Sequence, residues 1–207
     1  MDGAVEERVE VGGRTVTLLR PASAEALIDE EAFARDEFLP YWAELWPSAV
    51  ALARHVSTLP LAGVRVLELG CGLALPAIVA ALGGAEALAT DWSEDALRLA
   101  RANAERNGAP LETALLRFGE PEPLGRFDLV LAADVLYEER NADQLTTLLP
   151  RVVAPDGRAL VADPGRDDAR RFLEHARERW AVATIEAADL PRGGIHVLRP
   201  RAAQRGT

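Results

Sequence analysis

The rhythm of apolar and polar positions changes twice along the chain. From Val5 to Pro21, Val9 and Val11 and then Val16 and Leu18 alternate with polar residues around Gly12 and Gly13. That alternation predicts a β-hairpin closed by a glycine turn. After Ser23 comes an acidic segment in which Leu27, Phe33 and Phe38 form an irregular apolar face, read as a helix. Pro47 suits a first helical turn, and Val50, Leu52, Ala53 and Val56 follow at mixed helical spacing. A helix ending near Ser57 is expected there.

From Val64 onward, short apolar strands alternate with amphipathic stretches. The strands are predicted at Val64 to Leu69, Ala87 to Thr90, Glu112 to Arg117, Phe127 to Ala132 and Arg158 to Ala162. Helices are predicted near Leu75 to Leu82, from Ser93 to Asn107 with Gly108 as the stop, from Asn141 to Val153, and from Asp167 to Trp180. Asn141 with Gln144 three residues on fits a capping box. The segment from Ala181 to Pro200 offers two strands about Pro191-Arg192-Gly193-Gly194, which would pair antiparallel. Strands alternating with helices specify an α/β fold: a doubly wound, mostly parallel seven-stranded sheet with a C-terminal antiparallel hairpin. Residues 1–60 would pack on that core as a hairpin and helices, residues 61–200 would form the core itself, and 201–207 would be a tail.

The chain has 207 residues, 49% of them hydrophobic, which suits one domain with a buried core. There is no uncharged apolar run long enough to span a bilayer, and Met1 is followed by Asp2 and Glu6 rather than by a basic leader. A cytoplasmic protein that does not enter membranes is expected. The single cysteine, Cys71, excludes an internal disulfide, and His55, His175 and His196 are far apart, so no metal site is expected. All 23 basic residues are arginine. Without lysine there can be no Schiff-base enzyme, no Walker phosphate loop and no lysine general base. Against 33 acids the net charge is −10, which repels nucleic acid and favours a basic partner.

The segment VRVLELGCGLALPAIVAALGGAEALATD, Val64 to Asp91, concentrates the chemistry. Gly70 and Gly72 after a buried strand allow a tight turn and close approach of a ligand, but Leu75 stands where a dinucleotide fingerprint has its third glycine. Asp91 ends the next strand 19 residues after Gly72, where a carboxylate can take ribose hydroxyls. The plain alternative is a glycine turn that only packs helix on strand. Glu68, in front of the glycines, would oppose a pyrophosphate at the helix amino end and suits a ligand carrying positive charge. S-adenosylmethionine, with an ammonium and a sulfonium, fits better than NAD. Glu68 could instead cap backbone amides at the strand end.

ELGCGLALPAIVAA followed by ATDWS resembles motifs I and II of the Rossmann-like class I S-adenosylmethionine-dependent methyltransferases. YWAELWPSAVALARH upstream and FDLVLAADVLYEE downstream are similar to the seven-β-strand lysine methyltransferase group, with its Asp-x-x-Tyr after the fourth strand, here Asp134 to Tyr137. ADPGR, Ala162 to Arg166, is similar to a segment after strand five in one branch of that group. The resemblance covers roughly Tyr41 to Arg166. It implies that Trp46 lies beside the cofactor, that Gly70, Cys71 and Gly72 wrap its methionine part, and that Asp91 holds its ribose. Phe118 would flank the adenine and Ala133 would offer backbone. Asp134 and Tyr137 would receive a lysine ammonium of a protein substrate with a basic surface. Two positions depart from the pattern: Ala74 replaces a glycine of motif I, and Arg117 stands beside Phe118. A small amine or nitrogen heterocycle as acceptor, or a non-catalytic nucleoside-binding protein, are the competing readings. Several residues have plain alternatives too: helix packing for Trp42 and Trp46, a small loop residue at Cys71, a turn cap at Asp134 and a core hydrogen bond at Tyr137. Arg166 reads equally as a turn residue or a substrate contact, and His196 as structural.

Overall fold

A computed structural model describes residues 4–23, 40–120 and 124–201. The helix expected in the acidic segment after Ser23 lies outside these residues. Strands β1 (Ala4–Val11) and β2 (Arg14–Pro21) form a separate antiparallel hairpin. Gly12 and Gly13 both adopt positive φ, 58° and 77°, as a tight two-residue turn between twisted strands requires. Val9, Val11, Val16 and Leu18 point inward and join the main core. A short 3₁₀ turn (Tyr41–Ala43) leads to α1 (Pro47–Val56), whose first residue is the expected proline.

The central sheet contains β3 (Arg65–Leu69), β4 (Glu86–Asp91), β5 (Leu111–Leu115), β6 (Phe127–Ala133), β7 (Val153–Asp163), β8 (Trp180–Ile185) and β9 (Gly194–Pro200). Their order is β5-β4-β3-β6-β7-β9-β8. The first five neighbours pair in parallel, and β9 pairs antiparallel with both β7 and β8. The chain winds outward from β3 to β5 and then returns to β6 on β3's other side. That reversal opens a crevice beyond the carboxyl ends of β3, β4 and β6, where open α/β sheets bind ligands.

The connecting helices are α2 (Leu75–Leu82), α3 (Glu94–Arg106), α4 (Glu139–Val152) and α5 (Asp167–Ala176). Strand residues alternate between the two faces. Val66, Leu129 and Leu131 pack with α1, α2, α3 and the hairpin, whereas Leu67, Leu69, Val130 and Ala132 pack with α4 and α5. The hairpin is fastened by two asparagines one turn apart, Asn103 on α3 and Asn107 at its C-cap. Asn107 accepts from Thr17 N–H at 2.9 Å and donates to Thr17 C=O at 2.8 Å, while Asn103 accepts from Leu19 N–H at 2.6 Å and donates to Leu19 C=O at 3.2 Å. These amides do for β2 what a neighbouring strand would do.

Four expectations are corrected. Helix α4 begins at Glu139, two residues before the proposed cap, and its N-cap residue Glu138 makes no side-chain capping bond. Asn141 is therefore already inside the helix, where its side chain bonds Tyr137 instead. Helix α5 stops at Ala176, because Trp180 is drawn into the core as the first residue of β8. Strand β5 stops at Leu115, two residues short of the predicted end. Strand β7 starts at Val153 rather than Arg158, running through a Pro-Asp-Gly that reads as a turn. Gly157 permits it: a Cβ there would sit 2.9 Å from the carbonyl oxygens of Phe127 and Asp128.

Candidate functional site

The crevice is a cleft of about 440 Å³, within the size range of small-molecule sites. Its floor is the turn after β3. Gly70, Gly72 and Ala74 all take left-handed φ, at 64°, 48° and 61°. A Cβ on Gly70 would lie 2.9 Å from Val135 Cγ1, and one on Gly72 would lie 2.9 Å from the Trp42 carbonyl oxygen. Both glycines are thus required by geometry and crowding together. Ala74 adopts the conformation that glycine would adopt with less strain, at a cost of about 1–2 kcal/mol.

Asp91 is buried at the end of β4 and ties this turn in place: Oδ2 accepts from Gly72 N–H and Oδ1 from Ser93 N–H, each at 3.0 Å. Burial raises its pKa, opposed by the N–H groups of Gly72, Ser93 and Trp92. The three N–H groups do not use up the carboxylate's lone pairs, and capacity for a hydroxyl remains. Glu68 is 2% exposed, and its Oε2 accepts from Ala77 N–H in the first turn of α2 at 2.8 Å. Burial pushes its pKa up to about 8, against the pull of the Ala77 N–H and with a further rise from Asp91. The amide-capping role open to it in the sequence is visible here. A negative charge for a cationic ligand would exist only once that cation drew the proton off. The Cys71 thiol is pushed up by burial and then by Asp91 and Glu68, so it is a small, inert loop residue. Phe118 is half-buried and, like Ala133, lines the cleft.

The other end of the cleft is aromatic. Tyr41 meets Tyr137 edge-on with centroids 5.4 Å apart and Trp46 with centroids 6.1 Å apart. Trp46 Nε1 donates to the Tyr41 carbonyl at 2.8 Å, which fixes the indole. Trp42 and Trp46 do not share a helical face: Trp42 belongs to the 3₁₀ turn and packs against the core, and Trp46 is the N-cap residue of α1. Burial raises the pKa of Tyr137, with the Asn141 hydrogen bond opposing it.

Asp134 follows β6 with φ 57° and is 7% exposed. Its Oδ1 accepts from Arg166 Nη1 at 2.5 Å, and its Oδ2 is buried with no hydrogen-bond partner among the described residues. An unsatisfied buried carboxylate oxygen is costly and marks a place where a donor belongs. Arg166 also reaches Asp163 Oδ2 at 3.0 Å. Burial lowers the Arg166 pKa, but the bonds and charges of Asp134 and Asp163 outweigh it and the net shift is upward. All ten candidate residues, Trp46, Glu68, Gly70, Cys71, Gly72, Asp91, Phe118, Ala133, Asp134 and Tyr137, line this one cleft. Sequence reasoning missed Tyr41, Asn141 and Asp163. Tyr41 opens the very segment that contains Trp46, which was its only signal. His196 is not among the residues lining the cleft and bonds Thr184 Oγ1 at 3.0 Å.

Residues 61–190 match the family described as a methyltransferase domain. The chain is 39% identical over 141 residues to the electron transfer flavoprotein beta subunit lysine methyltransferase of Danio rerio, across 66% of this chain and 53% of that protein. It is 34% identical over 168 residues to the protein N-lysine methyltransferase METTL21A of Danio rerio, across 76% of each. The chain spans about half the length of the flavoprotein-subunit relatives it matches. Among solved structures, it is similar to a TehB-like SAM-dependent methyltransferase from Corynebacterium glutamicum, with TM-score 0.60 at 17% identity over 83% of this chain and 93% of that one. It is also similar to the magnesium protoporphyrin IX methyltransferase of Synechocystis PCC 6803 with SAM bound, with TM-score 0.60 at 18% identity over 86% of this chain and 97% of that one. At such identities these two show a shared fold.

Proposed function

We propose that this chain, which belongs to the S-adenosylmethionine-dependent methyltransferase family, transfers a methyl group to the side-chain amine of a lysine in a protein substrate. The observation that carries the acceptor is the unpartnered Oδ2 of buried Asp134, in a cleft that also presents the packed rings of Tyr41, Trp46 and Tyr137. A carboxylate oxygen and aromatic faces together suit an alkylammonium. Relatives named as protein lysine methyltransferases support the same reading.

The residues present fit the cofactor. The glycine turn, where a Cβ at Gly70 or Gly72 would clash, leaves open backbone for its methionine part. Asp91 has remaining acceptor capacity for the ribose, Phe118 a ring for the adenine, and Glu68 a carboxyl for the cationic end. Ala133 and Trp46 complete the wall. When bound, S-adenosylmethionine supplies a methyl group already activated on a positively charged sulfur, so the protein's task is alignment and proton removal. Asp134 Oδ2 accepts an N–H of the incoming amine and orients it. Tyr41, Trp46 and Tyr137 exclude water, and that desolvation lowers the amine's pKa against the opposing pull of the carboxylate. The proton leaves to water. The net charge of −10 draws basic, lysine-bearing surfaces, and the absence of lysine from this chain places any lysine label on a partner.

The test is tritiated S-adenosylmethionine with a cell lysate, resolved on a gel and by small-molecule extraction. A labelled protein band is expected. A labelled soluble product with no band would replace lysine by a metabolite, and no label at all would leave a nucleoside-binding protein. Asp134→Asn should reduce label by about 100-fold or more while S-adenosylhomocysteine binds within about threefold of wild type. Full turnover in that variant would remove Asp134 from the mechanism.

A further inference from the structure

We propose that Arg166 is a positioning residue for this transfer: it occupies one oxygen of Asp134, leaves the other for the acceptor amine, and tempers the carboxylate's charge so that the amine releases its proton. The inference rests on the lysine reading of the cleft and extends it to a residue outside the cleft.

Arg166 is not among the residues lining the cleft, whereas Asp134 is. It acts from behind. Its Nη1 lies 2.5 Å from Asp134 Oδ1 and 3.0 Å from Asp163 Oδ2, and its side chain is 29% exposed. The segment Asp163-Pro164-Gly165-Arg166 is built to place it. Asp163, fully buried, accepts from Gly165 N–H at 2.7 Å and Arg166 N–H at 2.8 Å through one oxygen. Gly165 has φ 98°, and a Cβ there would come within 2.4 Å of the Arg192 carbonyl oxygen. No other residue type fits that corner without displacing the backbone.

Asp134 itself sits in a left-handed conformation that a residue with a side chain keeps only when its surroundings hold it. Its N–H donates to Ala162 C=O at 3.0 Å, and its side chain is gripped by Arg166. The two holds leave Oδ2 as the oxygen of Asp134 with no hydrogen-bond partner among the described residues.

The charge balance gives this clamp a chemical consequence. Asp134, Asp163 and Arg166 together carry about one negative charge, which an incoming ammonium neutralises. Without the guanidinium, two carboxylates would face the ammonium and hold its proton more tightly. A charge within about 4–6 Å moves a pKa by about 1–3 units, so removing Arg166 should lower the neutral fraction of the bound amine at least about tenfold. The step affected is simple: the N–H bond breaks, its electron pair stays on nitrogen, and the proton passes to water. The other titratable groups here are Tyr137 with Glu138, Asp91 and Tyr41 around it, Glu44 and Arg140 in the cleft lining, His196, which feels the charge of Asp163, and Glu68, which is pushed up to about 8 and titrates alike in wild type and variants. None of them changes in the variants below.

The experiment compares wild type, Arg166→Gln and Arg166→Lys. Glutamine keeps an N–H donor without the charge, and lysine keeps the charge. Each is incubated with tritiated S-adenosylmethionine and total soluble protein from a bacterial lysate, and label per minute in the principal band is read at about pH 7 and about pH 9.5. S-adenosylhomocysteine binding is measured by calorimetry in parallel. Arg166→Gln should be about tenfold or more slower near pH 7 and within about threefold near pH 9.5, with S-adenosylhomocysteine affinity within about twofold. Arg166→Lys should recover most of the rate. A defect of the same size at both pH values, no defect, or loss of S-adenosylhomocysteine binding in both variants overturns the proposal. If wild type labels no protein, the lysine reading falls and this proposal falls with it. A labelled wild-type band beside an unaffected Arg166→Gln rejects the role of Arg166 alone.

Discussion

Replacing Glu68 by glutamine separates the charge of this buried acid from its hydrogen bond. An amide oxygen accepts from Ala77 N–H as well as a carboxyl oxygen does, and the volume is unchanged. What differs is titration. The acid's ordinary value is 4.5, and in the fold it rises to about 8. Below about 4.5 the folded and unfolded chains both hold the proton, and no pH dependence arises. Between about 4.5 and about 8 the folded chain keeps a proton the unfolded chain has lost, so stability falls as pH rises. Above about 8 both states are ionised and the loss is complete.

Each pH unit in that window removes about 1.4 kcal/mol, so by about pH 7 wild type has lost roughly 3 kcal/mol that the variant keeps. Asp91 adds a slope of the same sign in both proteins and largely cancels in the difference. Urea unfolding of the cofactor-free chain, in steps from about pH 5 to about pH 9, reads the effect directly. The stability of Glu68→Gln minus that of wild type should climb by about 1.4 kcal/mol per unit and level off near pH 8. A difference that stays flat across the window would show that Glu68 is ionised throughout and refute the reasoning. A difference that falls would refute it more strongly.

Gly72→Ala should destabilise the chain by about 2 kcal/mol and weaken S-adenosylhomocysteine binding, because its Cβ would meet the Trp42 carbonyl at 2.9 Å on a backbone with φ 48°. Thermal melting and calorimetry read both, and an unchanged affinity would reject the glycine cradle. Asn103→Ala removes the two-way pairing with Leu19 and the bond to Leu73 C=O, and should cost about 2–3 kcal/mol. The amide of Leu19 should then exchange with solvent well ahead of the sheet amides, and equal protection would show that the apolar face alone holds the hairpin.

Strand β3, its glycine turn and α2 were legible in the sequence because every signal there is local. A buried run, two glycines and a capped helix determine one another over a few residues. Alternation along a strand also decides which layer each residue faces, and Val66 and Leu67 do join opposite layers. Errors came where a local signal had a stronger distant competitor. Asn141 has the residue type of a cap, but its side chain bonds Tyr137 and the helix starts earlier. Pro155-Asp156-Gly157 has turn residues, yet it is only a bulge between the pairings of Val153 and Arg158 with β6, and the strand runs on through it. The aromatic group of Tyr41, Trp46 and Tyr137 depends on the 3₁₀ turn lying against the turn after β3, where the Trp42 carbonyl meets Gly72, and no spacing encodes that.

Arg166 differs from these, because its role was derivable in principle. FDLVLAAD and ALVAD are consecutive strands of one parallel sheet, and the pairing of Ala133 with Ala162 brings Asp134 level with Asp163 just beyond. Two buried carboxylates side by side repel, and the one cation on either strand, Arg158, lies five residues before Asp163 beside Leu129, away from both. The next basic residue is Arg166, three positions after Asp163, the span a tight turn needs to fold a side chain back over its own strand end. Asp134, the acid proposed to meet an ammonium, and Asp163, which holds the turn, therefore share one guanidinium. That sharing is why one oxygen of Asp134 stays available: Arg166 divides its Nη1 between two carboxylates and does not form a closed two-oxygen fork with either. A bidentate grip on Asp134 would have satisfied both of its oxygens and left nothing for the amine.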